Sequence, residues 1–207
     1  MSKAVLFDFP NSSASYRVRI ALNLAGIAYE KVFVDLETGQ QKAPRHLARN
    51  PQGFVPVLEI DGLRMTQSLA ILTYLDTTRD LGLLPKDPAM RAKVEALAHA
   101  IAVDIHPICN LQVAKHVTEL TGDPDTRPAW SRHFMRPGMQ AFEAMLAEFG
   151  GPFCCGDAPM LPDICLMPQV YNCRRWGAEI DDLPRTLEAV AACEALPAFR
   201  DAHPDMG

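Results

Sequence analysis

The 207-residue sequence predicts two domains, a small α/β domain followed by an all-helical one. Three observations carry that expectation. Strand signals are confined to the first third, where two apolar runs at 57–60 and 63–65 flank the turn pair Asp61-Gly62, the pattern of an antiparallel hairpin. The segment Gly82-Leu83-Leu84-Pro85-Lys86-Asp87-Pro88 is a proline-flanked linker, and beyond it strand signals stop. Residues 89–104, 109–120, 129–149, 161–176 and 186–196 read as helices separated by Pro or Gly. A mixed first part followed by a helical remainder cannot share one sheet-centred core, so the expected division is 1–80, a linker at 81–88, and 89–207.

Within the first domain, residues 4–9 form an apolar run that ends at Pro10. The polar stretch Asn11-Ser12-Ser13-Ala14-Ser15 then opens a helical pattern carried by Val18, Ile20, Ala21, Leu22, Leu24 and Ala25. Gly26 follows as a helix stop, and residues 29–36 are rich in β-branched and aromatic side chains, completing a β-α-β unit. Residues 37–42 read as a loop, and 44–49 as a short helix stopped by Asn50-Pro51. Thr66-Gln67-Ser68 supplies polar caps to a helix with Ala70, Ile71, Tyr74 and Leu75 at core spacing. The predicted order is β-α-β-α-β-β-α, ending near Arg79.

Composition excludes several function classes. Twenty Lys and Arg against 25 Asp and Glu give a formal charge of -5, with no electrostatic footprint for nucleic acid or anionic lipid. The opening residues carry charge where a signal peptide needs an apolar core, and no stretch approaches the roughly 20 apolar residues that span a bilayer. A cytoplasmic protein is expected. Cys109, Cys154, Cys155, Cys165, Cys173 and Cys193 follow no C-x-x-C or metal-site spacing, so reduced thiols and no metal are expected.

Chemistry concentrates at three places. The Ser12-Ser13-Ala14-Ser15 turn joins a strand to a helix start, where unpaired backbone N–H groups and the helix dipole stabilise an anion such as a thiolate. A serine hydroxyl that donates to sulfur lowers the thiol pKa without a general base, because it stabilises the charged form. Simple helix capping is the alternative role, and both fit one turn. Phe54-Val55-Pro56-Val57 precedes the hairpin, and a cis Pro56 there would turn the backbone of Val55 outward for a ligand to pair with. Gln67-Ser68 opens a second anion-holding helix start, again with capping as the plainer role. His99, His116 and His133 have no Cys or carboxylate partner at catalytic spacing.

The segment Ser12-Ser13-Ala14-Ser15-Tyr16-Arg17-Val18-Arg19-Ile20-Ala21-Leu22 resembles the signature of the zeta-class glutathione transferases, which include maleylacetoacetate and maleylpyruvate isomerases. The resemblance continues through Asn50-Pro51-Gln52-Gly53-Phe54-Val55-Pro56, Asp61-Gly62, Gln67-Ser68-Leu69-Ala70-Ile71, Leu83-Leu84-Pro85, Ile105-His106-Pro107-Ile108-Cys109-Asn110-Leu111 and Pro168-Gln169-Val170. It implies an α/β thioredoxin-like N-terminal domain with cis-Pro56 plus an all-α C-terminal domain. Reduced glutathione would be the cofactor, with its γ-glutamyl end on Gln67 and Ser68, its cysteinyl backbone paired with Val55, and its glycyl end near Gln41 and Gln52. Ser12 would activate the thiol, supported by Ser13. His106 and Asn110 would reach the glutathione of a second subunit, implying a homodimer. The implied reaction is cis–trans isomerisation of a maleyl keto acid by thiolate addition, bond rotation and elimination. Its dicarboxylate substrate needs a cation, and Arg175 matches the arginine that some relatives aim at it, a solvated helix face being the other role open to Arg174 and Arg175.

Four positions depart from the family pattern. Ala14 replaces the usual motif cysteine, while Asn11 and Leu111 stand where relatives carry arginines. With less positive charge there, a substrate carboxylate would fall to Arg19 or another group. Met160 replaces a Thr or Ser helix cap but keeps the acid at Asp163, which predicts a weakened helix start and a folding role for Asp163. The alternatives to an isomerase are a transferase conjugating glutathione to α-haloacids or other small electrophiles, and a binding protein for apolar ligands. Ser12, Gln67 and Ser68 argue against the last.

Overall fold

The computed structural model describes residues 3–206; Met1, Ser2 and Gly207 lie outside them. The chain divides into two units, one running to Gly82 and taking in the residues from Leu196 onward, the other Leu83–Ala195.

The first unit is built on strand β1 (Ala4–Asp8), helix α1 (Ser13–Leu24), strand β2 (Tyr29–Phe33), the short helix α2 (Pro44–Leu47), strands β3 (Val57–Ile60) and β4 (Leu63–Thr66), and helix α3 (Ser68–Arg79). A 3₁₀ turn, Gln40–Lys42, occupies part of the expected loop. The sheet order is β2-β1-β3-β4, with β1 parallel to β2 and β3 antiparallel to both β1 and β4. Parallel pairing of β1 and β2 requires the crossover that α1 supplies. The hairpin pairs Ile60 with Leu63, and its turn residues Asp61 and Gly62 both take positive φ, 55° and 77°. That is the two-residue turn whose twist matches the strands, and only an Asn, Asp or Gly pair enters it at low cost.

Side-chain alternation along β1 assigns its faces. Val5 and Phe7 pack with Val34, Val55 and Val57. Ala4, Leu6 and Asp8 share the opposite set of positions and are all buried. Helices α1 and α3 pack on each other and contribute Val18, Ile20, Leu22, Ile71, Leu72 and Leu75, none of which is exposed. The expected strand 29–36 is shorter than its apolar pattern: β2 ends at Phe33, Val34 N makes a last bond to Asp8 O at 2.8 Å, and the Val34 side chain stays in the core.

The second unit holds α4 (Pro88–His99), α5 (His106–Ile108), α6 (Leu111–Thr121), α7 (Thr126–Leu146), α8 (Leu161–Trp176) and α9 (Pro184–Glu194). Helix α8 is its centre, with every residue from Leu161 to Val170 buried. The expected continuous helix over 89–104 is instead α4 followed by a π-helical stretch, Ala100–Ile105. Pro107, two residues past its end, has no N–H to donate, so the regular ladder cannot run through it. The stretch lies against α7 at Gly138, where an added Cβ would sit 2.5 Å from the Ile105 side chain.

Helix α10 (Pro197–Arg200) and a 3₁₀ turn (Pro204–Met206) close the chain. The expected all-helical domain 89–207 therefore loses its last residues to the first unit. Asn23 Nδ2 donates to Ala198 O at 3.0 Å, and Phe199 and Ala202 are buried against α1. A helical pattern identifies an element but not the surface that covers its apolar side.

Candidate active site

Strand pairing gathers three predicted segments at one end of the first unit's sheet. Val57 pairs with both Phe7 and Thr66. Because β3 is antiparallel to both neighbours, the chain entering it, Val55-Pro56, lies beside the chain leaving β1 toward Ser12. It also lies beside the chain leaving β4 at Gln67-Ser68. The topology, rather than any sequence proximity, makes these segments neighbours.

Ser12 is the N-cap of α1, in extended conformation, and its Oγ accepts a hydrogen bond from Ser15 N at 3.2 Å. The turn before it is closed by Ser12 N donating to Phe9 O at 2.9 Å. Capping uses the oxygen as acceptor and leaves the hydroxyl hydrogen available to donate, so the two roles open at this turn coexist. Ser12 is half-buried and Ser13 is buried at the first helical position.

The Val55–Pro56 peptide bond is cis. Phe54 O, just before it, accepts from Asn50 Nδ2 at 3.0 Å and contacts His46 Nε2 at 2.9 Å. Among the described residues, no hydrogen bond to the Val55 N–H or C=O is found, although its side chain is buried. Backbone groups held in this way match an extended ligand that pairs as a strand does.

Gln67 precedes α3 with φ 67° and ψ 105°, a conformation that non-glycine residues rarely adopt. Such outliers persist where surrounding structure over-determines them, often at ligand clamps. Gln67 Nε2 donates to Gln52 Oε1 at 2.8 Å, so two residues assigned to opposite ends of glutathione are bonded to each other. Ser68 is buried, and its Oγ accepts from Arg17 Nε at 3.0 Å. Gln41 Nε2 donates to Leu36 O at 3.3 Å, while its buried Oε1 has no partner among the described residues.

Two basic residues in this unit were missed by sequence reasoning. Arg17 falls within an apolar helix pattern at a core-facing position, and a charge placed there is itself the signal that it has a polar task. Lys42 Nζ donates to Gln52 O at 3.3 Å and lies 5.6 Å from the Phe54 ring centroid. Gly53 makes room for it: a Cβ there would stand 3.0 Å from the Lys42 ammonium and from Gln41 O. Arg19, a fallback for a substrate carboxylate, is 2% exposed and paired with both oxygens of Asp8. That pairing removes it from substrate binding.

The remaining predicted residues belong to the second unit. Asn110 is the N-cap of α6, its Oδ1 accepting from Val113 N at 3.0 Å, which leaves its amide hydrogens as donors. His106 is half-buried at the start of α5. Arg174 is exposed and paired with Glu194 at 3.1 Å, the solvated-face role. Arg175 is exposed, lying 5.1 Å from the Trp176 ring centroid, with Arg127 4.5 Å from the same ring.

Asp163 is fully buried, its two oxygens accepting from Cys154 N at 2.9 Å and Met160 N at 2.8 Å. The helix start that lacks a hydroxyl cap is thus held from its third residue. Burial raises the Asp163 pKa against those hydrogen bonds, and raises Cys109 and Cys173 to about 11 and Cys155 to about 12. None of the six thiols is in a disulfide. Among the described residues, no group of three or more His, Cys, Asp or Glu could hold a metal ion, and no helix is long and apolar enough to cross a membrane.

Comparison with known proteins adds family and chemistry. Residues 2–77 match the glutathione S-transferase N-terminal domain. A maleylacetoacetate isomerase of Rhizobium meliloti is 52% identical over 207 residues, covering 99% of this chain and 97% of its own. The holo structure of a bacterial maleyl pyruvate isomerase, a zeta-class glutathione S-transferase, superimposes with a TM-score of 0.94 at 36% identity, covering 98% of each chain. A maleylacetoacetate isomerase of Anaeromyxobacter dehalogenans with dicarboxyethyl glutathione and citrate in its active site gives a TM-score of 0.87. It is 38% identical, covering 99% of this chain and 96% of that one.

Proposed function

The chain belongs to the zeta-class glutathione transferase family that includes the maleylacetoacetate isomerases, and on that premise we propose that it is a glutathione-dependent cis–trans isomerase of a maleyl keto acid. The observation that carries the reading is the convergence at one sheet end of the Ser12 hydroxyl, the unbonded backbone of Val55 beside cis-Pro56, and the Gln67-Ser68 helix start. Bound there, glutathione supplies a thiolate that adds to the conjugated double bond and leaves again, so the thiol is regenerated. The active-site ligand of the Anaeromyxobacter relative, glutathione bearing a dicarboxyethyl group, is an adduct of that kind.

The chain's own residues bind and polarise. Val55 pairs with the cysteinyl backbone and fixes the direction of the peptide. Ser68 and Gln67 hold the γ-glutamyl end, with the α3 dipole favouring its carboxylate. Gln41 and Gln52 face the glycyl end, and the unsatisfied Gln41 amide oxygen supports a ligand contact there. Ser12, supported by Ser13, donates to the sulfur and keeps it ionised near neutral pH. Arg175 meets a substrate carboxylate, compensating in part for Asn11 and Leu111. His106 and Asn110 reach the glutathione of a second subunit, so the working form is a homodimer. A reducing cytoplasm, where glutathione is abundant, is the compartment that this chemistry calls for.

The deciding experiment follows the absorbance of maleylpyruvate and of maleylacetoacetate with purified protein, with and without reduced glutathione. Loss of the cis isomer only with glutathione present, and full recovery of thiol, is expected. Stoichiometric consumption of thiol would replace the isomerase by a conjugating transferase, and no turnover of either keto acid would overturn the substrate class. Ser12→Ala should abolish turnover while glutathione still binds.

A further inference from the structure

We infer that Arg19 is a positioning residue that ties the end of the chain to the turn presenting Ser12, and thereby sets how well Ser12 activates the thiol. The inference rests on the glutathione reading above. Arg19 lies in the middle of α1, 2% exposed between Val18 and Ile20. Its guanidinium makes four hydrogen bonds to three separate segments. Nη1 donates to both oxygens of Asp8 at 2.8 and 2.9 Å, Nη2 to Pro10 O at 2.9 Å, and Nε to Ala202 O at 2.9 Å. Asp8 neutralises the buried charge, and the two carbonyls take up the remaining directions of the fork.

Pro10 is the link to chemistry. Its carbonyl stands two residues before Ser12, in the turn closed by Ser12 N and Phe9 O. One rigid side chain therefore fixes the end of β1, the turn, and the last segment of the chain together. That segment is also pinned by Asn23 Nδ2 on Ala198 O at 3.0 Å and by an edge contact of His203 on Tyr16. A hydroxyl that must donate to one sulfur atom has to be held to within roughly 0.5 Å, so loosening its turn weakens activation. The residues that hold glutathione, Val55, Gln67 and Ser68, stand on other segments, and no hydrogen bond joins Arg19 to them among the described residues. Arg19 should therefore act on turnover and on the thiol rather than on glutathione affinity.

The test uses the full chain. Arg19→Lys keeps a charge for Asp8 but cannot reproduce the fork. The thiolate absorbance of bound glutathione is titrated against pH, alongside kcat and KM. Expected are a kcat lower by about tenfold or more, a bound-thiol titration moved up by about one pH unit, and a glutathione KM within about twofold of wild type. A folded Arg19→Lys protein with unmoved kcat and titration, even one that melts earlier, reduces Arg19 to a structural residue and overturns the inference. Should that variant fail to fold, Asn23→Ala decides. Faster amide exchange over 198–202 should accompany a smaller upward shift of the same titration, and faster exchange with an unmoved titration overturns the role of the chain end. The titration needs no keto acid, so it separates this inference from the choice of substrate. A wild-type protein that binds no glutathione removes both.

Discussion

Arg17 Nε donates to Ser68 Oγ across 3.0 Å, joining the middle of α1 to the first residue of α3 with both groups buried. A hydroxyl that accepts from a guanidinium is left with its own hydrogen to give. Ser68 is thereby fixed as a donor at a helix start, which is the polarity a carboxylate requires.

Arg17→Gln should accordingly weaken glutathione binding more than turnover. A hydrogen bond to a charged group contributes about 1.5–3 kcal/mol, so a KM for glutathione raised roughly tenfold to a hundredfold is expected, with kcat at saturation changed little. Calorimetry with a glutathione analogue lacking the γ-glutamyl α-carboxylate gives the sharper reading. The analogue should bind wild type worse than glutathione does, and the difference should shrink in the variant.

Asp163→Ala should destabilise the second unit without touching chemistry. Two backbone N–H groups, of Cys154 and Met160, lose their acceptors, and the Cys193 thiol 3.7 Å away loses its own. Leaving buried donors unsatisfied costs about 1–3 kcal/mol each, so a melting temperature lower by roughly 5 °C or more is expected from thermal unfolding. Activity at a temperature well below the transition should be retained.

Gly138→Ala tests the packing of the π-helical stretch. The added Cβ would meet Ile105 Cδ1 and Cγ1 at 2.5 Å, and overpacking of this kind costs about 1–3 kcal/mol against a helix-propensity gain of about 1 kcal/mol. A net loss of stability is expected in urea titration. Combining it with Ile105→Val, which removes Cδ1, should recover part of that loss.

The half-buried thiols should be poor nucleophiles at neutral pH. Burial pushes Cys109 to about 11 and Cys155 to about 12, from an ordinary value of 9.0. Cys109 should react with iodoacetamide at pH 7.5 about a hundredfold more slowly than an exposed thiol and Cys155 more slowly still, with rates still rising above pH 9. A folded-state pKa raised above the unfolded one means stability is full below about pH 9 and is lost as pH climbs through 9 to 12. Alkaline unfolding in that window, followed by circular dichroism, is the matching measurement.

The hairpin at Asp61-Gly62, the cap at Ser12 and the stop at Gly26 were legible because each depends on local backbone chemistry. The Val55–Pro56 cis bond was expected through family resemblance, since local pattern alone favours trans. The sequence offered the proposed site as three separate segments, and the pairing of Val57 with both Phe7 and Thr66 that makes them neighbours is a property of the sheet. Arg17 and Arg19 looked alike in sequence, two residues apart on one helix. Only their partners, Ser68 for one and Asp8, Pro10 and Ala202 for the other, give them different tasks.

By itself the sequence determined the order of elements in the first unit and the family. Periodicity, turn residues and helix caps are short-range and sit in consecutive residues. Tertiary structure alone decided that the last segment returns to the first unit, that Arg19 is consumed by Asp8, and that Gln52 meets Gln67. Each of these is a meeting of groups far apart in the chain. Their partner is selected by the burial of charge and the satisfaction of buried donors, for which no local pattern is diagnostic.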